Sequence, residues 1–486
     1  MRMKSKKRQK SKNYRISPLC LTNPRRSADF VEEPHLLFAG GNRHCDPKTG
    51  IPLYGPRSLG TARHKAEVHI GFIGTGEAVD HARQFYEAYS EGVDGDDDHT
   101  PFPGCKRDRG YRCDLRTDDA LVEPITRQEQ RDVLAIRQGR DRFEAMLALL
   151  DQKMQILTQR DHPLDYVVLV LPDDLYRRCR SVNYFEKGHG SIHRDLRRAF
   201  KSLAMRYQKP TQILLETTTG MTDSRRKLDH PSVVAWNLFN GLYFKVDGLP
   251  WGPTDLAPAS CFIGISFFRP LGSASTLRTS VVQAFDENGD GLVLRGHRFD
   301  WDERDGRTPH LSEEMAAELI SMVLERYRQE RSQLPQRVVI HKTSRFEPEE
   351  RAGFEESLRG IGRYDLVSLT PTSHSRLLRA GKYPPLRGTA FTVGDVSFFY
   401  TSGYLSSIGR YPHGHVPSPL QVADHIGDTS RRQLLREVMV LTKMNWNSAN
   451  MAGLMPITLR FSRLVGDVLR EVPEHQTPQP KYKYYM

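Results

Sequence analysis

Residues 261–268 constrain the fold of this 486-residue chain more than any other segment. They form an uninterrupted apolar run that contains one glycine and one serine, with Pro258 before it and Pro270 after it. An apolar run of this length between chain breakers is typical of a strand that is buried on both faces of an α/β sheet. We therefore expect a strand at the centre of such a sheet.

The composition indicates a globular chain that favours polyanionic partners only weakly. The formal charge is +12, but 59 acidic residues are interspersed among 71 basic ones. No apolar run approaches the roughly 20 residues that a membrane helix needs, and no secretory signal is evident. The six cysteines lack the paired spacing of a disulfide framework or a zinc ribbon. We expect a cytoplasmic protein whose residues 1–33 form a basic flexible tail.

The first half of the chain alternates between predicted strands and helices. The predicted strands are residues 68–73, 165–171 and 211–216, and the predicted helices are residues 77–89, 132–157, 191–207 and 233–243. Strands that alternate with helices favour a mostly parallel sheet. We therefore predict an α/β fold that begins with a Rossmann-like layer.

A glycine-rich turn follows the first of these strands, at Gly71, Gly74 and Gly76. Its order is G-x-x-G-x-G, whereas the dinucleotide-binding fingerprint is G-x-G-x-x-G with an acidic residue about 20 positions later. A tight connection between a strand and a helix explains the glycines more simply. An NAD-binding enzyme stays as a competing hypothesis.

The second half begins with a different pattern, in which the apolar strand is followed by a hairpin. The hairpin turn, residues 286–291, imitates the start of a calcium loop, but the twelfth position is His297 instead of glutamate. We therefore exclude calcium binding there. Strand pairs followed by alternating strands and helices indicate an RNase H-like layer.

Four polar residues suggest a pocket for a terminal phosphate. Arg197 and Lys201 are four residues apart and so share one face of a predicted helix. Gln212 opens the next strand, and Lys245 follows a later helix. Two or three cations with an amide near a helix end can hold a phosphate, although a solvated basic helix is the simpler interpretation.

The order of several segments resembles the MID and PIWI domains of Argonaute proteins. The segments are the basic helix that ends near Lys201, residues 210–212, 237–248, 338–342, 400–403, 441–447 and 456–458. The resemblance covers residues 34–486 and implies a Rossmann-like MID domain at 34–251 and an RNase H-like PIWI domain at 252–486. The chain looks like a short prokaryotic Argonaute, in which we expect no N-terminal and PAZ domains of the long ones.

The resemblance also implies a binding site for the 5′-phosphate of a guide strand. The matching residues are Arg197, Lys201, Gln212 and Lys245. The family's terminal carboxylate can help to hold a divalent ion at this pocket, which here implies Met486 with Mg²⁺.

The resemblance predicts a PIWI domain that does not cleave its target. Cleaving members of the family place an aspartate where this chain has Ser266 and Thr343, and an aspartate or a histidine where it has Arg463. Two-metal cleavage needs several carboxylates, because Mg²⁺ takes oxygen ligands and an arginine repels it. The alternative is a metal-dependent nuclease that uses reassigned acids. The nearby candidates are Asp300, Asp302 and Glu303.

The partners follow from the resemblance alone. It implies a guide RNA, a single-stranded DNA target, and a companion protein with an APAZ domain and a TIR, sirtuin-type or nuclease effector. The implied role is prokaryotic defence against plasmids or phages, in which base pairing determines the target sequence.

Overall fold

A computed structural model of the protein describes residues 27–187, 190–220, 228–273, 276–284, 291–301, 308–409, 411, 416–450 and 453–486. The predicted tail up to residue 26, the calcium-like turn at 286–290, Asp302 and Glu303 lie outside the described residues. None of the described helices is both long and apolar enough to cross a membrane.

The described strands and helices follow in chain order. The strands are β1 Ser27–Phe30, β2 Leu36–Leu37, β3 Arg43–His44, β4 Glu67–Gly74, β5 Cys105–Lys106, β6 Arg109–Gly110, β7 Asp114–Arg116, β8 Val122–Pro124, β9 Tyr166–Leu171, β10 Ser181–Glu186, β11 Gly190–Asp195, β12 Thr211–Leu215, β13 Gly252–Pro253, β14 Ser260–Phe268, β15 Thr276–Ala284, β16 Leu292–Asp300, β17 Arg337–Lys342, β18 Arg363–Pro371, β19 Thr389–Val393, β20 Val396–Phe399 and β21 Leu420–Gly427. The helices are α1 Pro47–Tyr54, α2 Gly76–Glu91, α3 Arg127–Ala135, α4 Gly139–Thr158, α5 Asp173–Cys179, α6 Leu196–Ala204, α7 Glu216–Thr219, α8 Pro231–Lys245, α9 Glu313–Arg331, α10 Pro348–Ser357, α11 Arg431–Thr442 and α12 Ile457–Leu469.

The first half of the chain forms a parallel sheet with the strand order β12-β9-β4-β7, in which β8 also pairs with β4. Successive residues of β9 face opposite layers. Val168 and Val170 pack in the core that contains α2 and α8, whereas Val167 and Leu169 pack with α4 and α6. The predicted Rossmann-like layer is confirmed.

The second half forms a nine-stranded mixed sheet with the order β1-β19-β20-β21-β18-β17-β14-β15-β16. The apolar run 261–268 lies in β14, which is inside this sheet, parallel to β17 and antiparallel to β15. Ile263 and Ile265 pack on the side of α9 and α10, and Phe262 packs on the side of α11 and α12. The predicted burial of both faces and the RNase H-like layer are therefore confirmed.

Two helix boundaries differ from the sequence predictions. Residues 191–195 are a strand, because β11 pairs with β10 in an antiparallel hairpin. The helix α6 begins only at Leu196, where the carboxylate of Asp195 accepts the backbone N–H of Arg198 at 3.2 Å and so caps the helix. The long helix predicted at 132–157 is two helices, α3 and α4, separated at residues 136–138.

Residues 27–33 are folded, so the prediction of a flexible tail is wrong for this segment. Strand β1 pairs with β19 at the edge of the nine-stranded sheet, and the N–H of Val31 donates to the carbonyl of Gly388 at 2.9 Å. The pairing joins parts of the chain that are far apart in the sequence, and composition does not reveal such pairing.

Glu33 anchors the same segment through two buried cations. Its carboxylate lies 2.8 Å from Arg387 Nε and 2.8 Å from Lys443 Nζ, whose side chains are 0% and 1% exposed. Burial alone raises the pKa of Glu33, but the charges of Arg387 and Lys443 outweigh burial and hold the pKa below its ordinary value. Glu33 is therefore ionised in the folded protein.

The two halves of the chain share one hydrophobic core. Phe244 of α8 stacks on Trp446, with their ring centroids 4.4 Å apart. The side chain of Asn240 donates to the carbonyl of Trp446 at 2.9 Å, and Trp251 Nε1 donates to the carbonyl of Lys443 at 2.9 Å. The segment after α11 thus holds α8 against the nine-stranded sheet.

We expect Glu33→Gln to lower the free energy of unfolding by about 3 kcal/mol, because removal of one partner leaves buried charges uncompensated. The contribution of Glu33 is present above about pH 4.5 and is lost as the pH falls through its lowered pKa. Urea unfolding at pH 7 and pH 4 measures both effects. The exposed neighbour Glu32 provides the control variant Glu32→Gln, and an equal effect of both variants would contradict the assignment.

Candidate nucleic-acid binding site

Three elements of the first domain bring the predicted phosphate-binding residues together. Lys201 lies on α6, Gln212 is the second residue of β12, and Lys245 is the last residue of α8. The ammonium groups of Lys201 and Lys245 both donate to the carbonyl of Thr211, at 3.2 and 3.0 Å. Lys245 Nζ also donates to Gln212 Oε1 at 2.8 Å.

The two lysines are buried, and no carboxylate of the described parts of the chain pairs with them. Their exposed fractions are 3% for Lys201 and 1% for Lys245. Within the described parts of the chain, neither ammonium group forms a salt bridge with a carboxylate. The ring of Tyr166 lies beneath Lys245, 5.7 Å from Nζ to the ring centroid, and it offers only a weak cation–π attraction.

This environment lowers the pKa of both lysines. Burial is the main cause for Lys201, and the charges of Lys245 and Arg197 add to it. Burial and the charge of Arg197 lower the pKa of Lys245 to about 7. The charged form of both lysines is thus unfavourable in the empty site, and a bound anion would favour it.

Arg197 lies one helical turn before Lys201, and its side chain is exposed. It lines a cavity of about 290 Å³ together with Arg180, Ile213 and Thr218. The charge of Arg197 is close enough to lower the pKa of both lysines. Its side chain nevertheless lines the neighbouring cavity. Sequence reasoning did not identify Arg180 as a second cation there.

The last residues of the described chain pack close to the same site. Tyr484 donates its hydroxyl hydrogen to the carbonyl of Gln208 at 3.2 Å, and Lys483 forms a salt bridge of 2.7 Å with Asp247, just after α8. Met486 is 3% exposed and belongs to the core that contains α8. Its part in metal binding stays a prediction.

The positions predicted to match the family's metal-binding residues lie around β14, β17 and α12. Gly264 pairs with His341 in the parallel register of these strands. Ser266 and Thr343 each lie two residues further along the chain, so both lie near the same end of the two strands. Arg463 is exposed on α12, the helix that packs against β14. At Gly264, a Cβ atom would lie 2.2 Å from the carbonyl of Thr458, so only glycine permits this contact.

Charged groups near these positions are already engaged within the fold. Lys342 is paired with the buried carboxylate of Glu350. His341 Nδ1 lies 2.9 Å from Thr458 Oγ1, and burial lowers the pKa of His341 to about 3, so the imidazole is neutral. Asp300 lies at the end of β16 and accepts a hydrogen bond from Thr276 at 3.1 Å.

The glycines at 71, 74 and 76 have a structural explanation. A Cβ atom at Gly71 would lie 2.7 Å from the side chain of Leu164, and one at Gly74 would lie 2.7 Å from the carbonyl of Val170. Gly76 begins α2. Close packing of the sheet explains the first two glycines without a dinucleotide.

The arrangement of both sheets is that of solved Argonaute and Piwi structures. Clostridium butyricum Argonaute, solved with a guide DNA and a target DNA, matches with a TM-score of 0.65 and 15% identity over 93% of this chain and 54% of its own. Drosophila Piwi matches with a TM-score of 0.60 and 12% identity over 94% of this chain and 56% of its own. The chain has an Argonaute fold.

A. aeolicus Argonaute is similar at a TM-score of 0.56 and 15% identity, over 93% of this chain and 54% of its own. This chain spans about half the length of these solved structures. No protein-family model and no curated protein matches it by sequence. The Argonaute fold is thus recognised through structure, and the MID–PIWI architecture agrees with the two sheets described above.

The lowered pKa of Lys245 predicts a specific pH dependence of stability. Between about pH 7 and pH 10.5 the unfolded chain holds a proton that the folded chain lacks, so the free energy of unfolding rises with pH. We expect Lys245→Met to reduce the rise between pH 7 and pH 9.5 by about 2 kcal/mol. Urea unfolding at both pH values measures it. The exposed Lys382 provides the control, and Lys382→Met should follow the wild type.

Proposed function

We propose that the chain binds a guide RNA by its 5′-phosphate and uses the guide to recognise a complementary single-stranded DNA. The observation that carries the proposal is the pair of buried lysines, Lys201 and Lys245, which converge on one carbonyl with no carboxylate partner in the described parts of the chain. A terminal phosphate supplies the missing negative charge and several acceptor oxygens.

Gln212 and Arg197 complete the proposed phosphate site. The amide of Gln212 already contacts Lys245 and can donate a hydrogen bond to a phosphate oxygen. We propose that Arg197, which is exposed and lines the neighbouring cavity, contacts the phosphate or the following backbone. Mg²⁺ held by the phosphate and the carboxylate of Met486 is part of the proposal.

We also propose that target recognition is not followed by cleavage by this chain. The support is chemical, because Ser266 and Thr343 are neutral and Arg463 is cationic, whereas a two-metal site needs carboxylates. The output would then come from a companion protein with an APAZ domain and a TIR, sirtuin-type or nuclease effector. Such a pair would act in cytoplasmic defence against plasmids or phages.

The first test is guide binding by the wild type and by Lys201→Met/Lys245→Met. We expect the wild type to prefer a 5′-phosphorylated RNA over the same RNA with a 5′-hydroxyl. Each charge-assisted hydrogen bond contributes roughly 1.5–3 kcal/mol, so the double variant should lose at least about 100-fold in affinity for the phosphorylated RNA. Filter binding or fluorescence anisotropy with labelled 20-nucleotide RNA, of about the length handled by guided effectors, measures this.

The control variant is Lys153→Met, which removes another buried lysine of the same domain. Lys153 is 5% exposed and is paired with Glu123 and Glu129, away from the site. It should keep the preference for the 5′-phosphate even if it lowers stability. Equal binding of both RNA forms by the wild type would overturn the proposed function.

The second test is cleavage of a complementary DNA in the presence of Mg²⁺ or Mn²⁺. We expect no cleavage by the guide-loaded chain, measured on a denaturing gel with a labelled target. Cleavage that is lost in Asp300→Ala, Asp302→Ala or Glu303→Ala would instead establish the alternative, a metal-dependent nuclease with reassigned acids. Cleavage that persists in all three variants would indicate a contaminating nuclease.

A further inference from the structure

A cluster of two histidines and an aspartate lies at the start of α8, at the opposite end of this helix from Lys245. The residues are Asp96, His99 and His230, and one potential ligand atom from each lies within 4.8 Å of the others. His230 caps α8, whereas Asp96 and His99 belong to the loop that follows α2. The proposed guide-binding function does not use any of them.

The loop presents its aspartate in a fixed orientation. Asp96 Oδ1 accepts the backbone N–H groups of Asp98 at 2.9 Å and His99 at 2.7 Å, and it lies 2.8 Å from His99 Nδ1. The N–H of Asp96 donates to the carbonyl of His99 at 3.0 Å. At Gly95 a Cβ atom would lie only 2.1 Å from that carbonyl. These contacts occupy Oδ1 and leave Oδ2 directed toward α8.

His230 meets this carboxylate from the helix side. Its Nε2 lies 3.6 Å from Asp96 Oδ2, and its ring stacks on that of His99 with a centroid distance of 4.5 Å. Its Nδ1 lies 2.9 Å from Ser232 Oγ and 3.2 Å from the backbone nitrogen of Ser232. The loop is also fixed to the helix, since Trp236 Nε1 donates to the carbonyl of Pro101 at 3.1 Å.

We propose that Asp96, His99 and His230 bind a divalent transition-metal ion, with Zn²⁺ as the best match. Two imidazole nitrogens and one carboxylate oxygen are a common protein ligand set for Zn²⁺, and water completes the tetrahedron. Imidazole ligands disfavour Mg²⁺ and Ca²⁺, which take oxygen. The ion fastens the acidic loop to the first turn of α8.

The outer contacts suit this chemistry. A histidine that binds a metal through one nitrogen usually donates a hydrogen bond from the other. Asp96 Oδ1 can accept the Nδ1 hydrogen of His99, which leaves Nε2 of that ring as a ligand. His230 Nδ1 accepts the backbone N–H of Ser232 as the cap of α8, so binding of an ion through Nε2 would move the ring proton to Nδ1, where Ser232 Oγ can accept it in place of the cap. The side chain of His99 is 37% exposed, so its ring has room to turn out of the stack toward the ion.

The test is titration of the metal-stripped full chain with Zn²⁺ alone, monitored by isothermal titration calorimetry. A second titration uses Co²⁺ and is monitored by visible absorption. We expect one saturable Zn²⁺ per chain and the intense visible bands of four-coordinate Co²⁺. His230→Asn keeps a good helix cap, and Asp96→Asn keeps the Oδ1 acceptor of the loop, but each removes a ligand. Each variant should lose at least about tenfold in Zn²⁺ affinity.

His162→Asn is the control, because His162 is also an exposed histidine of this domain and lies outside the cluster. It should bind Zn²⁺ like the wild type. No saturable Zn²⁺ in the wild type, or equal affinity in all variants, would overturn the proposal. Preference for a 5′-phosphorylated RNA is measured on the same variants. Retention of this preference shows that the variants are folded. Absence of the preference in the wild type would count against the proposed guide binding and not against Zn²⁺ binding.

Discussion

Lys443 is the buried charge on which the arrangement of the whole molecule depends. Its ammonium group binds Glu33 and donates to the carbonyls of Pro34 and Cys45 at 2.6 and 2.7 Å. Its own carbonyl accepts the indole N–H of Trp251. One residue thus joins the N-terminal segment, the domain connection and the end of α11. A buried cation tolerates few alternative positions, because each one needs an equivalent set of acceptors.

The proposed guide pocket uses buried lysines in the opposite way. Lys443 has its anion within the fold, whereas the acceptors of Lys201 and Lys245 among the described residues are neutral. Burial without an anion destabilises the charged form, and a phosphate would remove that cost on binding. The empty site therefore carries an unfavourable free energy that binding of the ligand removes, and this difference contributes to the affinity. An exposed cation such as Arg197 is already solvated and gains less from a phosphate, so the proposed function rests on the two buried lysines.

The fold was predictable where strands are buried on both faces. Strands β4, β9 and β14 are apolar runs, and their identity needs no knowledge of distant residues. Strands β1 and β11 were not predicted, because they are polar and depend on a partner strand.

The lysines of the proposed phosphate site were predicted from the order of the segments that resemble the family. Asp96 and His230 lie far apart in the sequence, and only the packing of the loop on α8 brings them together. Cys105 and Cys113 likewise lack a recognisable spacing, yet their sulfur atoms lie 3.1 Å apart.

The pairing of β1 with β19 has a practical consequence for how the protein can be divided. A truncation that begins at Pro34, as the sequence boundary suggests, removes an edge strand of the PIWI sheet along with the carboxylate beneath Arg387 and Lys443. It would expose the polar backbone of β19 to pairing with other chains, a known route to aggregation. The segment before the parallel sheet thus belongs structurally to the nine-stranded sheet, and a single cut near residue 251 would separate β1 from that sheet.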